Sequence, residues 1–122
     1  MAHDIRLIQV RDFLRTDVEG NLDLPTSRQV LSDLAKACFD TDNYHVLLDV
    51  REATGTLSVV DIWELAAALD EVGLGRRNKI AILNAPKDNF NRAAFFETCS
   101  VNRGFNVHTF QDFESALTWL TS

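Results

Sequence analysis

The stretch that decides the fold is residues 44–50, with the sequence YHVLLDV, in which Val46, Leu47 and Leu48 form an uninterrupted apolar run. Such a run is typical of a central strand that is covered on both faces, as the strands of parallel sheets are. Residues 79–83, with the sequence KIAIL, predict a second buried strand of the same kind. We therefore expect a central, largely parallel sheet that is covered by helices.

Outward from these two strands, helical and extended patterns alternate along the chain. Residues 25–39 and 58–72 carry apolar side chains at spacings of three and four, which predicts amphipathic helices. Ser58 and Asp61 resemble a capping box at the start of the second helix, and Gly73 is placed to end it. The predicted strands are residues 5–10, 13–18, 44–50, 79–83 and 105–110, and the predicted helices are residues 25–39, 58–72, 90–103 and a final one capped by Asp112.

These elements follow one another in the order ββαβαβαβα. The alternation predicts an α/β fold with right-handed crossovers and a mixed, mostly parallel sheet of about five strands with about four helices. The first strand is expected to pair antiparallel at an edge of the sheet. Because the length suits one domain, residues 1–122 are predicted to form a single domain. The expected core consists of Val46, Leu48, Ile62, Leu69, Ile80, Ile82, Leu117 and Leu120.

The composition and charge exclude several classes of protein. With 46% hydrophobic and 25% charged residues, the chain is neither collagen-like nor wholly disordered. The formal net charge of −6 argues against a nucleic-acid partner, because that binding needs a basic face. No apolar run approaches the ~20 residues of a membrane span. The polar start, MAHD, shows no secretory signal, so a cytoplasmic location is expected.

No motif for catalysis, metal binding or cofactor binding stands out. The GLG sequence at residues 73–75 lacks the third glycine of a dinucleotide fingerprint and follows a helix instead of a strand. Cys38 and Cys99 lie in apolar helical patterns, which favours core thiols over a redox pair. His45 and His108 have no Cys or His at ligand spacing, and a general base would need a partner that only the fold can supply. We therefore predict no catalytic residue, no metal, no cofactor and no enzymatic activity.

Polar side chains gather where two predicted strands end and the next helices begin. Ligands of parallel α/β sheets collect at such ends, and hydroxyls, amides and cations near helix N-termini suit an anionic or carbonyl-bearing ligand. The candidate regulatory or ligand-binding residues are Arg51, Thr54, Thr56 and Ser58 after residues 44–50, and Asn84, Lys87, Asn89, Asn91 and Arg92 after residues 79–83. The alternative interpretation is that these short polar residues cap helices and fill turns.

An aromatic set, Phe90, Phe95 and Phe96, occurs in the predicted helix at residues 90–103. Phe95 and Phe96 are adjacent and cannot share one helix face. We therefore expect one of them to be exposed, either at a homodimer contact or as the lining of a pocket for a small lipophilic ligand.

Four segments resemble the SpoIIAA-like group of STAS-type bacterial domains, and specifically the STAS/SEC14-like proteins. They are residues 19–22 (EGNL), 46–51 (VLLDVR), 79–83 (KIAIL) and 110–120 (FQDFESALTWL). The last is similar to the ending F-x-D-x-E-x-A-L-x-W-L of that group. The resemblance covers nearly the whole chain and implies the SpoIIAA-like (STAS) fold.

The resemblance also implies a small non-enzymatic regulatory or protein-interaction module. Classical members antagonise anti-sigma factors and are switched by phosphorylation, so the expected partner is an anti-sigma-factor-like or kinase-like protein. SEC14 relatives hold lipids, which makes a binder of a small lipophilic or anionic ligand the alternative. The phosphorylated serine of classical members lies in Asp-Ser-Ser-Gly, and the matching residues here are 57–60, LSVV. Ser58 matches the first serine of that motif, whereas its Asp, second Ser and Gly are absent.

Overall fold

The computed structural model describes residues 3–10, 13–41, 45–55, 57–74, 78–85 and 91–122, and for residues 3–10 and 39–41 it describes the backbone alone. The strands are β1 (His3–Val10), β2 (Phe13–Leu22), β3 (Val46–Gly55), β4 (Lys79–Leu83) and β5 (Asn106–Phe110). The helices are α1 (Leu24–Thr41), α2 (Val59–Val72), α3 (Arg92–Asn102) and α4 (Phe113–Leu120). The predicted order ββαβαβαβα is confirmed.

The sheet has the strand order β1-β2-β3-β4-β5. The strands from β2 to β5 form a four-stranded parallel sheet, and β1 adds to its edge antiparallel to β2. This confirms the expected mixed, mostly parallel sheet. Because consecutive parallel strands are neighbours, crossovers of one hand place α1, α2 and α3 on the same face, and α4 covers the other.

The side chains of β3 alternate between two apolar layers. Val46 and Leu48 face the layer beneath α1, α2 and α3, whereas Leu47 faces the layer beneath α4. The uninterrupted apolar run is therefore explained by a strand that is buried on both faces. All the expected core residues are buried except Leu117, which is only partly buried in the α4 layer.

Helix α4 is held at its C-terminal end by Lys79 of β4. The Lys79 Nζ donates to the backbone carbonyls of Trp119 at 3.0 Å and Ser122 at 3.1 Å. A cation at this position satisfies carbonyls that have no partner within the helix. At the other end of α4, the Arg15 guanidinium lies 5.3 Å from the centroid of the Phe113 ring.

Strands β2 and β3 are longer than the sequence predicted. β2 continues to Leu22 instead of ending at residue 18, and β3 continues to Gly55 instead of ending at residue 50. The extra residues pair with one another beyond a bulge between Asp17 and Glu19. Pairing between segments distant in sequence thus overrides the local turn signal of Gly20 (φ 86°) and its neighbour.

Several other boundaries differ from the prediction by one or two residues. Helix α1 begins at Leu24, because Asp23 Oδ1 accepts from the backbone N–H of Thr26, and it runs to Thr41 instead of residue 39. Helix α3 begins at Arg92 with Asn91 as its N-cap, instead of at residue 90. Strand β5 begins one residue late, at Asn106.

Candidate functional site

A cavity of about 340 Å³ lies where the carboxyl ends of β2, β3 and β4 meet the helices α1, α2 and α3. The sheet supplies apolar side chains that include Val18, Leu48 and Ile82, and the helices supply Ile62 and Phe96. This is the edge at which ligands of parallel α/β sheets collect. A predicted ligand-binding residue should therefore line this cavity.

Four of the polar residues selected from the sequence line this cavity, namely Thr54, Asn84, Asn91 and Arg92. Asn84 Nδ2 donates to Asn91 Oδ1 at 2.8 Å, and the same oxygen accepts from the backbone N–H of Ala94 at 3.0 Å. The amide of Asn91 therefore caps α3, as the alternative interpretation of these polar residues held, while it also lines the cavity.

Arg92 supplies the charge of the cavity wall. Its Nε donates to the backbone carbonyl of Leu57 at 2.9 Å, which ties the first turn of α3 to the segment before α2. Among the described lining residues Arg92 alone is charged, and none of them carries a carboxylate. An apolar cavity with a cation in its wall suits a ligand that has an apolar body and an anionic group.

Ser58 lies outside the described lining and is the N-cap of α2. Its Oγ accepts from the backbone N–H of Asp61 at 3.1 Å, and Asp61 Oδ2 accepts from the backbone N–H of Ser58 at 3.0 Å. The predicted capping box is thus confirmed. The Ser58 residue is exposed, so its hydroxyl lies at the surface of the protein.

The first two turns of α2 expose three large apolar side chains. Val59 is 53% exposed, Val60 63% and Trp63 54%. The Arg103 guanidinium lies 5.1 Å from the Trp63 ring centroid. This surface was not predicted, although the order V-V-D-I-W places Trp63 one turn after Val59 and Val60, away from the buried Ile62. We call Val59, Val60 and Trp63 the α2 apolar surface.

Arg51 faces away from the cavity, so grouping it with the cavity residues was wrong. Because β3 continues through Gly55, Arg51 lies within the strand, on the α4 side. Its Nη2 donates to Asp49 Oδ2 at 2.7 Å, and Arg15 Nη2 donates to the same oxygen at 3.3 Å. Burial alone would raise the pKa of Asp49, but hydrogen bonds from Arg51 and the charges of Arg51 and Arg15 lower it.

The other selected residues divide into two groups. Thr56, Lys87, Asn89 and Phe90 lie outside the described residues. Phe96 is buried and lines the cavity, and Phe95 is partly buried against the same core. Phe96 thus meets the alternative that one of these rings lines a pocket, whereas neither ring is exposed at the protein surface, because the inward face of α3 packs against both α2 and the sheet.

Both strand histidines have structural partners. His45 Nδ1 accepts from the backbone N–H of Lys79 at 3.1 Å, which joins the starts of β3 and β4. His108 Nδ1 lies 3.6 Å from Glu97 Oε1, and its ring packs against that of Trp119 at 5.6 Å between centroids. Neither histidine lines the cavity.

The cysteines are not bonded to each other. Cys38 is buried and Cys99 is partly buried, and burial raises the pKa of the Cys38 thiol. Over the described ranges, no three metal-ligating side chains come together. None of the helices in those ranges has the length and apolarity to cross a bilayer.

Comparisons with known proteins connect this geometry to a fold. No protein-family model and no curated protein matches the chain. An anti-sigma factor antagonist from Mycobacterium paratuberculosis matches with a TM-score of 0.66 and 14% identity, over 98% of this chain and 95% of its own. A DUF3478-family protein with a SpoIIAA-like fold from Shewanella loihica matches with a TM-score of 0.60 and 21% identity, over 98% of this chain and 93% of its own.

A third solved structure agrees with these two. The anti-sigma factor antagonist SpoIIAA in its unphosphorylated form matches with a TM-score of 0.57 and 15% identity, over 97% of this chain and 96% of its own. Identities at this level establish architecture, and all three structures share one architecture with this chain over nearly its full length. The chain has the SpoIIAA-like, STAS-type fold.

Proposed function

We propose that this chain is a non-enzymatic regulatory module that binds another protein through the α2 apolar surface. The observation that carries the proposal is that Val59, Val60 and Trp63 are each more than half exposed on one helix. Contiguous exposed apolar side chains mark interaction sites more often than isolated ones do. Two of the solved structures with this fold are anti-sigma factor antagonists, which supports an anti-sigma-factor-like or kinase-like partner.

The position of Ser58 adds a regulatory element to this proposal. Ser58 directly precedes Val59, and its residue is exposed. A phosphate there would add a charge of about −1.5 to −2 at the border of the α2 apolar surface. Desolvating that charge against an apolar partner is unfavourable, so phosphorylation would weaken the complex.

The test compares two variants that add the same negative charge at different places. Val60→Asp changes the α2 apolar surface, and Thr118→Asp changes the exposed side of α4 on the opposite face of the sheet. We expect a partner captured from lysate and then purified to bind the wild type and Thr118→Asp alike and Val60→Asp at least about tenfold more weakly. A partner that binds all three equally would contradict the proposal.

Self-association is measured on the same proteins by size exclusion with light scattering. We expect the wild type and both variants to have the mass of one chain. A wild-type dimer that Val60→Asp converts to a monomer would show that a second copy, as in the homodimer considered from the sequence, covers this surface and would overturn the proposal of a different protein partner.

A second candidate function, binding of a small lipophilic or anionic ligand, is favoured by the cavity. Its volume of about 340 Å³ is in the range of ligand pockets, ~300–1,000 Å³, and its wall is mostly apolar with a few polar groups. Ala93→Phe would place a ring at the cavity wall. We expect native mass spectrometry to show a small molecule retained by the wild type and lost from Ala93→Phe, and bare chains in both samples would count against this candidate.

A further inference from the structure

Arg92 is fixed at the wall of the cavity by two features of the backbone around it. Its Nε–H bond to the Leu57 carbonyl holds the guanidinium between α3 and the start of α2. A Cβ atom at Gly55 would lie only 3.1 Å from Arg92 Cδ, so the absence of a side chain there lets the Arg92 stem pass. The cation therefore has one defined place in the wall.

Ser27 lines the same cavity and lacks the partner that a buried hydroxyl normally has. The residue is 8% exposed, and no group of the described residues forms a hydrogen bond with its Oγ. Within the described part of the chain the hydroxyls of Thr16 and Ser100 also have no hydrogen-bond partner, but these residues do not line the cavity. A hydrogen-bonding ligand atom that reaches Ser27, after rotation of its side chain about the Cα–Cβ bond, would satisfy this hydroxyl.

Ser27 and Arg92 lie on opposite flanks of the cavity. Ser27 belongs to α1 and Arg92 to α3, and α2 packs against both of these helices. The wall between the two flanks is apolar and includes Leu48, Val50, Ile62 and Ile82. A ligand that uses both polar residues must therefore be elongated and apolar along its middle.

We infer that the cavity binds an elongated amphiphile with an anionic group at the Arg92 end, an apolar body, and a hydroxyl or carbonyl oxygen at the Ser27 end. This inference rests on the proposed ligand-binding function and adds the chemistry of the ligand. The volume of about 340 Å³ lies near the lower limit of ligand pockets, which favours a single chain of moderate length over a two-chain lipid.

Four probes of similar length test the inference by isothermal titration calorimetry: decanoate, decanol, decylammonium and ω-hydroxydecanoate. We expect the wild type to bind decanoate at least about tenfold more tightly than decylammonium. Arg92→Gln should abolish this preference, and Arg92→Lys should retain part of it because the charge remains. ω-Hydroxydecanoate should bind the wild type about three- to tenfold more tightly than decanoate, and Ser27→Ala should remove that advantage.

The results distinguish an error in the inferred ligand chemistry from an error in the proposed ligand-binding function. Binding of decanol, decanoate and decylammonium with equal affinity would overturn the inference while leaving a lipophilic ligand site in place. Binding of none of the four probes would overturn the inference and contradict the ligand-binding function as well. Circular dichroism of each variant confirms that it is folded, and Arg92→Met, which also removes the charge, or Ser27→Cys, which also removes the hydroxyl, replaces a variant that is not.

Discussion

The backbone N–H of Ser58 donates to Asp61 Oδ2 at 3.0 Å, while the backbone N–H of Asp61 donates to Ser58 Oγ at 3.1 Å. This reciprocal pair satisfies two donors that would otherwise have no partner at the start of α2. It also fixes the helix start beside the exposed Val59 and Val60. A single hydroxyl thus contributes to the stability of α2 and borders the proposed interaction surface.

Substitutions of Ser58 should separate the cap from any other role in stability. Ser58→Ala removes the acceptor and should lower the free energy of unfolding by about 1 kcal/mol. Ser58→Asp should be tolerated, because Asp also caps and its charge complements the helix dipole. Thermal or urea unfolding measures both changes. Ser32→Ala, at an exposed position inside α1, is the control and should be neutral or slightly stabilising, and an equal loss in Ser32→Ala and Ser58→Ala would count against the cap.

The same two variants test whether Ser58 is a phosphorylation switch. A switch predicts that Ser58→Asp loses a partner that Ser58→Ala retains, because a carboxylate at the interface mimics part of the added phosphate charge. Pull-downs with the wild type and both variants measure this difference. Identical partner profiles for all three proteins would eliminate the switch and leave Ser58 with the cap alone.

The order of helices and strands could be predicted because each element has a local pattern in the sequence. The apolar run Val46–Leu48 lies in a strand buried on both faces, and the Ser58–Asp61 spacing marks the start of α2. The extensions of β2 and β3 could not be predicted, because Gly20 locally predicts a turn, whereas its pairing with His3 of β1 and Ala53 of β3 keeps it in the sheet. Tertiary pairing of this kind has no signature in a short window of sequence.

The part of the site that follows a local rule was predicted, and the part that depends on tertiary structure was not. Thr54, Asn84 and Arg92 follow from the rule that ligands collect at strand ends, and all three line the cavity. Ser27 does not follow a strand end. It lines the cavity from α1, which lies far from β3 and β4 in the sequence, so no local pattern points to it. Arg51 was wrongly grouped with the cavity residues, because β3 continues beyond its predicted end and the alternation of side chains along the strand decides which face Arg51 lies on.

The Asp49 carboxylate should make the stability of the fold depend on pH in the acid range. Its pKa is lowered in the folded protein, so its contribution is present above the unfolded pKa of about 3.9 and is lost as the pH falls through the folded pKa. Asp49→Asn should therefore cost about 1–2 kcal/mol at neutral pH, because Arg51 and Arg15 lose a charged acceptor whose side chain is only 12% exposed.

Urea unfolding from pH 7 to pH 2 measures this dependence. The difference between the wild type and Asp49→Asn should shrink below about pH 4, where Asp49 of the unfolded chain takes up a proton before Asp49 of the folded protein does. Glu52→Gln, at an exposed position on the same strand, is the control and should stay within about 0.5 kcal/mol of the wild type. If the difference in the free energy of unfolding between the wild type and Asp49→Asn is constant from pH 7 to pH 2, the pKa of Asp49 is not lowered in the folded protein.

The two cysteines should differ in their rates of alkylation. Cys38 is buried in the core under α1 and burial raises the pKa of its thiol, whereas Cys99 is only partly buried. Because the thiolate is the reacting species, iodoacetamide at neutral pH should modify Cys99 first and Cys38 only on unfolding. Peptide mass mapping over time measures the order, with Cys99→Ser as the control, and equal rates for the two residues would exclude this difference in burial.

Lys79 should stabilise α4 through its position at the helix C-terminus. Its Nζ donates to the carbonyls of Trp119 and Ser122 and lies 5.6 Å from the Trp119 ring centroid. Lys79→Met keeps most of the apolar stem but removes the cation, so we expect a loss of about 1 kcal/mol in the free energy of unfolding. Lys36→Met, at an exposed position on α1, is the control and should have little effect.

Hydrogen exchange locates this loss within the molecule. Because Lys79 holds the last turn of α4, the amides of Leu120 and Thr121 should exchange faster in Lys79→Met, while those of β3 should change only as much as global stability does. High salt should weaken the difference between wild type and variant, since part of it is electrostatic. If Lys79→Met and Lys36→Met exchange alike throughout α4, Lys79 does not anchor the helix, and the packing of its apolar face against the sheet holds it without that contact.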